Sequence, residues 1–164
     1  FYRLKLGDAE DRRNDLDLGV FDHESNGKDG PESRSWNRAY LRYTSTRLLP
    51  ERGLWWSLKL AVPYGMNDED SNQLPKRRGS WALRIGASDL FKTLFEVNEV
   101  ILRLYGGGGS RVNTFKGGQE LTYREKSSSR KLLLPLYLQI FHGYGENLLD
   151  ADEKHWGFRA GVGF

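Results

Sequence analysis

Apolar and polar residues alternate along much of this chain, which is the pattern of β-strands with one apolar and one polar face. Within residues 33–43, Asn37 and a run of mostly apolar side chains share one face, and arginines and aromatic residues share the other. The same period of two recurs along the chain. The predicted strands lie at about 1–6, 16–25, 33–43, 54–64, 81–85, 94–105, 111–125, 132–142 and 156–164. The pattern therefore predicts an all-β protein of about nine strands.

The last of these strands indicates whether the apolar face of the sheet contacts lipid or a protein core. Large apolar residues such as Trp156 and Phe158 alternate with glycine and with Arg159. This arrangement suits the wall of an antiparallel transmembrane β-barrel, which has lipid outside and a polar interior. A strand of a soluble β-sandwich can show the same alternation, so that alternative stays open.

The segment 16–25 changes face part-way along. Leu18 and Val20 share one parity, whereas His23 and Ser25 share the other. One extra residue in a strand reverses the facing of every residue that follows. We therefore predict a β-bulge near Gly19.

Composition narrows the class of protein. The chain has 164 residues and a net charge of +3, and its basic residues are spread out, so no nucleic-acid partner is indicated. It has no cysteine, which excludes a disulfide framework and a thiolate metal site. No apolar run approaches the ~20 residues of a membrane helix. The mean hydropathy of −0.66 still fits a transmembrane barrel, because only alternate strand residues face lipid. We expect one domain over residues 1–164.

Candidate chemistry is concentrated at the turn after the second predicted strand. Residues 26–31 are rich in turn formers. A hairpin centred on Gly30 places Asn37 opposite His23, and opposed side chains lie about 5 Å apart. His23 and Ser25 project to the same side. Serine, imidazole and an orienting acceptor are the groups that nucleophilic acyl transfer requires, although a strand-end histidine beside a turn serine explains those two residues alone more simply.

A longer string around this turn resembles the outer membrane phospholipase A family. It reads His-Glu-Ser-Asn-Gly at 23–27 and Ser-Arg-Ser-Trp-Asn-Arg at 33–38. Two further segments are also similar to that family: Gly-Gly-Gln-Glu-Leu at 117–121 and Gly-Tyr-Gly-Glu-Asn-Leu-Leu-Asp at 143–150. The resemblance covers most of the chain from about Leu16 onward. It implies an antiparallel transmembrane β-barrel of about twelve strands, so we expect this chain to be a C-terminal portion that lacks roughly three N-terminal strands.

The resemblance also implies a role for each residue at the turn. Ser25 would be the nucleophile, His23 the general base and Asn37 the residue that orients His23. The backbone N–H of Gly27 would stabilise the oxyanion. The implied activity is a phospholipase A1/A2 that hydrolyses acyl esters of phospholipids. Because Asn37 shares parity with Leu41, we expect this triad on the lipid-facing side of the barrel.

The family binds Ca²⁺, and the matching positions here are Ser33, through its hydroxyl, and Lys28, through its backbone carbonyl. Both supply the oxygen ligands that Ca²⁺ prefers. The family completes this site from a partner subunit, with a segment upstream of the residues present here, and its activity requires a homodimer. The resemblance therefore implies a phospholipid substrate, contact with outer membrane lipids, a second copy as partner and location in the outer membrane of a Gram-negative cell.

Two other functions stay open on the sequence alone. In a barrel that acts as a pore or a structural protein, His23 and Ser25 would be incidental, and a soluble binding module would pack its apolar faces together. A further group, His142 and His155 with the acidic residues of segment 146–152, could suggest a metal site. We interpret that group as a solvated loop.

Overall fold

The chain folds into β-strands whose order in the sheet is their order in the sequence. The computed structural model describes residues 2–6, 14–27, 33–49, 53–64, 79–88, 98–107, 113–125, 136–146, 148 and 153–162. The strands are β1 (Tyr2–Leu6), β2 (Asn14–Ser25), β3 (Ser35–Leu49), β4 (Leu54–Tyr64), β5 (Trp81–Ser88), β6 (Asn98–Gly107), β7 (Asn113–Glu125), β8 (Leu136–Gly143) and β9 (His155–Val162). The all-β prediction is confirmed. No helix in the described ranges is long and apolar enough to cross a membrane.

All nine strands belong to one sheet, in which every strand pairs antiparallel with its neighbours in the chain. Strand β3 is longer than the pattern predicts, because it continues to Leu49, which pairs with Leu54. The side-chain alternation ends earlier, but ladder hydrogen bonds join backbone groups and do not require it. The predicted start of the eighth strand at residue 132 lies outside the described residues.

One face of the sheet carries exposed apolar side chains, and we call it the apolar face. A row of directly paired residues crosses it from β4 to β9: Trp56, Ile85, Leu102, Leu121, Ile140 and Phe158. Exposure in this row reaches 72% at Phe158. A soluble protein rarely exposes so continuous an apolar surface, whereas the outside of a transmembrane barrel requires one.

The opposite face, which we call the polar face, buries charged and polar groups. Asp17 and Glu99 are only 3% and 4% exposed. Each is paired: Arg3 Nε donates to Asp17 at 2.6 Å and Arg124 Nε to Glu99 at 2.5 Å. Buried charges are tolerated when they are paired and hydrogen-bonded. A soluble sandwich would bury the apolar face, so this distribution argues against that alternative.

The predicted bulge is present. The register of β2 against β3 shifts between Gly19 and Asp22. The consecutive residues Val20 and Phe21 are both exposed, at 71% and 70%, which strict alternation would not allow. The bulge reverses the facing of the rest of β2, and so brings His23 onto the apolar face.

Candidate active site

The hairpin of β2 and β3 brings His23 and Asn37 together. The two residues are direct cross-strand partners, as predicted. Nδ1 of His23 lies 2.8 Å from Oδ1 of Asn37. Because an amide oxygen only accepts hydrogen bonds, Nδ1 carries the proton and donates it. The lone pair therefore resides on Nε2, which is the tautomer that a histidine general base needs.

Ser25 lies two residues along β2 from His23 and pairs with Ser35. Its Oγ accepts a hydrogen bond from the backbone N–H of Gly27 at 3.2 Å. Gly27 has a φ of 69°, a left-handed conformation that glycine adopts at little cost. Within the described residues, hydrogen bonds thus join His23 to Asn37 and Ser25 to Gly27, and none joins His23 to Ser25.

Asn26 closes the hairpin beside the turn, a role that the sequence analysis missed. Its backbone N–H donates to the carbonyl of Arg34 at 3.0 Å, and its side-chain Oδ1 accepts from the Arg34 N–H at 3.1 Å. Gly27 follows Asn26 and Ser33 precedes Arg34, so these two bonds hold Gly27 and Ser33 at the ends of the paired strands. An Asn-Gly step at a strand end is the sequence signal that could have revealed this role.

The site opens onto the apolar face. The ring of Phe21 stacks nearly parallel on that of His23, with 6.0 Å between centroids. Tyr64 pairs with Asn37 from the β4 side, and its hydroxyl donates to the carbonyl of Val20 at 2.7 Å. Tyr64 thereby satisfies a carbonyl within the bulge. The sequence pattern does not reveal this contact, because it depends on the register of two strand pairs.

Ionic contacts on the polar face stabilise the part of β2 that carries His23. Asp22 and Glu24 flank His23 in sequence and project to that side. Glu24 Oε2 accepts from the buried Trp36 at 3.1 Å and from Arg38 at 3.2 Å. Arg38 also pairs with Asp22 at 3.0 Å. His23 is therefore carried on a strand segment fixed on both sides.

Of the two positions implied for Ca²⁺, only Ser33 lies within the described residues. The carbonyl of Ser33 accepts a hydrogen bond from the Arg34 guanidinium at 2.8 Å, and the role of its hydroxyl as a calcium ligand stays a prediction. Lys28 lies outside the described residues. A hydroxyl and a backbone carbonyl are hard donors that fit Ca²⁺. No group of three or more His, Cys, Asp or Glu residues forms a metal cluster in the described ranges.

The interpretation of segment 146–152 as a solvated loop is wrong for Glu146, whose side chain is only 10% exposed. Its carboxylate contacts His155 and Arg159, the latter at 2.5 Å. Gly157 makes this possible, because a Cβ at that position would collide with the Glu146 carboxylate. The interaction depends on the path of β9 beside β8, which the sequence pattern does not define.

A sheet that buries ion pairs on one face and exposes a continuous apolar face on the other is the wall of a transmembrane β-barrel. The structure is similar to the solved outer membrane phospholipase A from Escherichia coli, with a TM-score of 0.69 and 26% identity over 90% of this chain and 52% of that one. It is also similar to an outer membrane phospholipase dimer with bound calcium from Salmonella typhi, with a TM-score of 0.70 and 28% identity over 90% and 50% of the two chains.

The sequence comparisons agree with the fold. The family model for phospholipase A1 matches residues 5–164. Phospholipase A1 of Escherichia coli K12 is 33% identical over 169 aligned residues, which cover 98% of this chain and 50% of the relative. The chain belongs to the phospholipase A1 family, whose solved members have the outer membrane barrel fold, and its location is the outer membrane of a Gram-negative cell. The chain spans about half the length of the curated relatives it matches.

Proposed function

We propose that this chain carries the active site of a calcium-dependent outer membrane phospholipase. The observation that carries the proposal is the hydrogen bond from His23 to Asn37, formed on the apolar face beside Ser25. A histidine fixed in this tautomer is poised to accept a proton from a serine hydroxyl. Because the site opens onto the lipid side, a phospholipid can reach it from the bilayer.

In the proposed reaction, Oγ of Ser25 attacks the ester carbonyl while Nε2 of His23 takes its proton. The tetrahedral intermediate collapses, the protonated His23 gives its proton to the departing alkoxide, and a lysophospholipid leaves. Water, deprotonated by His23, then attacks the acyl-Ser25 ester. The second tetrahedral intermediate collapses, the bond from the acyl carbon to Oγ breaks, His23 returns its proton to Oγ, and the fatty acid leaves. Asn37 holds the imidazole in one orientation through both steps.

The Gly27 N–H is the proposed oxyanion donor. It already points at Ser25 Oγ, 3.2 Å away, and so lies close to where an acyl group on that oxygen would carry its oxyanion. Rotation of the Ser25 side chain would free this N–H for the oxyanion and bring the hydroxyl towards His23. Catalytic hydrogen bonds commonly tighten only when substrate is bound.

For calcium, the Ser33 hydroxyl and the Lys28 carbonyl are the proposed ligands. Bound there, Ca²⁺ would add positive charge near the developing oxyanion. The calcium-bound dimer from Salmonella typhi supports both the metal and a homodimer as proposals for this protein. The remaining ligands would come from the partner subunit.

We also propose that residues 1–164 belong to a single barrel domain. Strands β1 and β9 are the edges of the described sheet. Their unpaired backbone groups would be costly in lipid, where closed barrels leave no edge. Further strands of the same protein, paired with both edges, would satisfy them.

The decisive experiment measures fatty-acid release from phosphatidylethanolamine mixed micelles, with and without Ca²⁺. We expect calcium-dependent release that Ser25→Ala abolishes. Ser35→Ala is the matched control, because Ser35 is the cross-strand partner of Ser25 and has no proposed catalytic role. If the chain alone releases no fatty acid, the assay is repeated with the upstream strands restored. A folded, completed barrel that shows no activity at saturating Ca²⁺ would refute the proposal.

A further inference from the structure

A cavity of about 290 Å³ opens on the polar face, behind the β2–β3 hairpin. Its lining includes five cationic side chains and two carboxylates: Arg38, Arg42, Lys59, Arg84 and Arg103, with Asp22 and Glu24. The cavity therefore carries an excess of positive charge. His23, the proposed general base, also belongs to the lining, but its imidazole bonds to Asn37 on the apolar face. The cationic side chains of the cavity have no part in the proposed reaction.

Four of these cations oppose one another directly across the sheet. Arg42 pairs with Lys59 in the β3–β4 ladder, and Arg84 pairs with Arg103 in the β5–β6 ladder. Like charges in directly opposed positions destabilise a sheet, and the effect grows where water is partly excluded. A counter-charge between the two pairs would relieve this repulsion.

Of the four opposed cations, the carboxylates of the lining form an ion pair with only one, Lys59. Asp22 accepts from Lys59 at 2.6 Å and from Arg38 at 3.0 Å, and Glu24 also binds Arg38. Both carboxylates are thus engaged at the hairpin side of the cavity.

Several cations of the lining are poorly satisfied. Arg103 is 3.6 Å from Glu120, which is longer than a hydrogen bond. Within the described ranges, Arg84 has no ion pair or hydrogen bond. Arg42 lies opposite Asp17 in the β2–β3 ladder, but Asp17 is bonded to Arg3, and the guanidinium of Arg42 lies over the ring of Tyr40 at 5.4 Å. The buried Nε atoms of Arg38 and Arg103 also have no acceptor in these ranges. Buried donors without acceptors are rare and indicate a missing partner.

We propose that this cavity binds one oxyanion of the phosphate class. Guanidinium groups present forked N–H donors that match the oxygens of such anions, and they form short, charge-assisted hydrogen bonds. A single tetrahedral anion can accept from several arginines at once, whereas chloride offers one centre without directed lone pairs. The volume admits the anion together with bridging waters, each of which occupies roughly 30 Å³.

The test uses the barrel completed with its upstream strands, folded in detergent micelles, and inorganic phosphate as the probe. Equilibrium dialysis with radiolabelled phosphate should show saturable binding that approaches one anion per chain. The unfolding temperature should rise by roughly 2–4 °C at saturation, because the ligand binds only the folded state. Chloride at equal ionic strength should leave the temperature unchanged. No saturable binding by the folded wild-type chain would overturn the proposal.

Variants assign the binding to this cavity. Arg84→Gln and Arg103→Gln should each reduce phosphate affinity at least tenfold. Arg159→Gln is the matched control, since Arg159 lies on another strand and is engaged by Glu146 and Gln139. If a glutamine variant does not fold, Arg84→Lys keeps the charge without the fork and should also bind more weakly. Undiminished affinity in folded Arg84 and Arg103 variants would place the anion elsewhere and refute the site.

Discussion

At the scale of single residues, the candidate site depends on one neutral hydrogen bond. Asn37 fixes the tautomer of His23 through an amide oxygen, without the negative charge that an aspartate would bring. The oxygen lies 2.8 Å from Nδ1, a normal length for such a bond. On the apolar face a neutral partner avoids placing another ionised group beside lipid.

Replacing Asn37 tests this bond. We expect Asn37→Ala to lower fatty-acid release roughly 10- to 100-fold, because the protonated His23 of the intermediate loses a hydrogen bond of about 1.5–3 kcal/mol. Asn37→Asp keeps an acceptor oxygen and should retain more activity than the alanine variant. Equal rates for wild type and Asn37→Ala, measured on folded protein, would show that His23 needs no orienting partner.

Gly27 permits a second prediction from its backbone. A Cβ at this position would meet no atom within 4 Å, so the effect of Gly27→Ala comes from the φ of 69° and not from a collision. The left-handed conformation costs a non-glycine residue roughly 1–2 kcal/mol, and relief of that strain would turn the N–H away from Ser25. We expect lower fatty-acid release from Gly27→Ala. Asparagine tolerates this conformation better, so Gly27→Asn should retain more activity; the reverse order would contradict the argument.

At the scale of elements, the bulge in β2 connects the fold to the site. Without it, the parity of Leu16 and Leu18 would continue and His23 would face the interior. Gly19 is suited to the start of the irregularity, since a Cβ there would run into the ring of Tyr40. On the other face, Tyr64 satisfies a carbonyl within the bulge.

Tyr64→Phe should therefore weaken both the bulge and the activity. The loss of its hydrogen bond to Val20 should lower the free energy of unfolding by about 1 kcal/mol and reduce fatty-acid release severalfold, because the facing of His23 depends on the bulge. Tyr43→Phe is the control: it removes a hydroxyl bonded to Asn14 at 3.0 Å, far along the same strands from the turn. Unfolding curves and lipase assays on both variants check this, and an equal loss of activity in the two would contradict it.

Across the whole sheet, apolar side chains are exposed and charged side chains are buried, which is the opposite of the distribution in a soluble protein. Phe158 is 72% exposed while Glu99 is 4% exposed. The apolar face can only be stable against lipid, and the polar face must satisfy its charges internally. The hydrogen bonds from Trp55 at 3.1 Å and from Arg124 to Glu99 show how the second condition is met.

A charge on the apolar face should prevent insertion. We expect Leu121→Arg to destabilise the folded protein in lipid vesicles by about 2–4 kcal/mol, as for an arginine near the bilayer midplane. Leu121→Ala removes a similar apolar side chain without adding charge and should be tolerated better. Folding yield into vesicles, followed by tryptophan fluorescence in urea, measures both. Equal folding of the two variants would mean that Leu121 does not face lipid.

The amino-acid pattern predicts the nine strands, the facing of most of them and the hairpin at the site, but not the extension of β3 to Leu49. Strand alternation is a local property with a period of two, so the sequence alone can reveal it. The bulge near Gly19 is predictable for the same reason, because the alternation reverses there. The pairing of His23 with Asn37 was equally predictable, because a short turn fixes the register of a hairpin. The roles of Ser25, His23 and Asn37 in catalysis stay predictions.

Contacts between residues far apart in the chain could not be predicted from the pattern. Tyr64 reaches Val20 across an intervening strand, and Glu146 turns back onto Arg159. The opposition of Arg84 to Arg103 likewise depends on the register of β5 against β6. These registers are set by the cumulative pairing of several strands and by the lengths of the connections between them, and a shift of one residue would exchange the two faces. Local alternation says which residues share a face, but the pairing of the strands decides which of them touch.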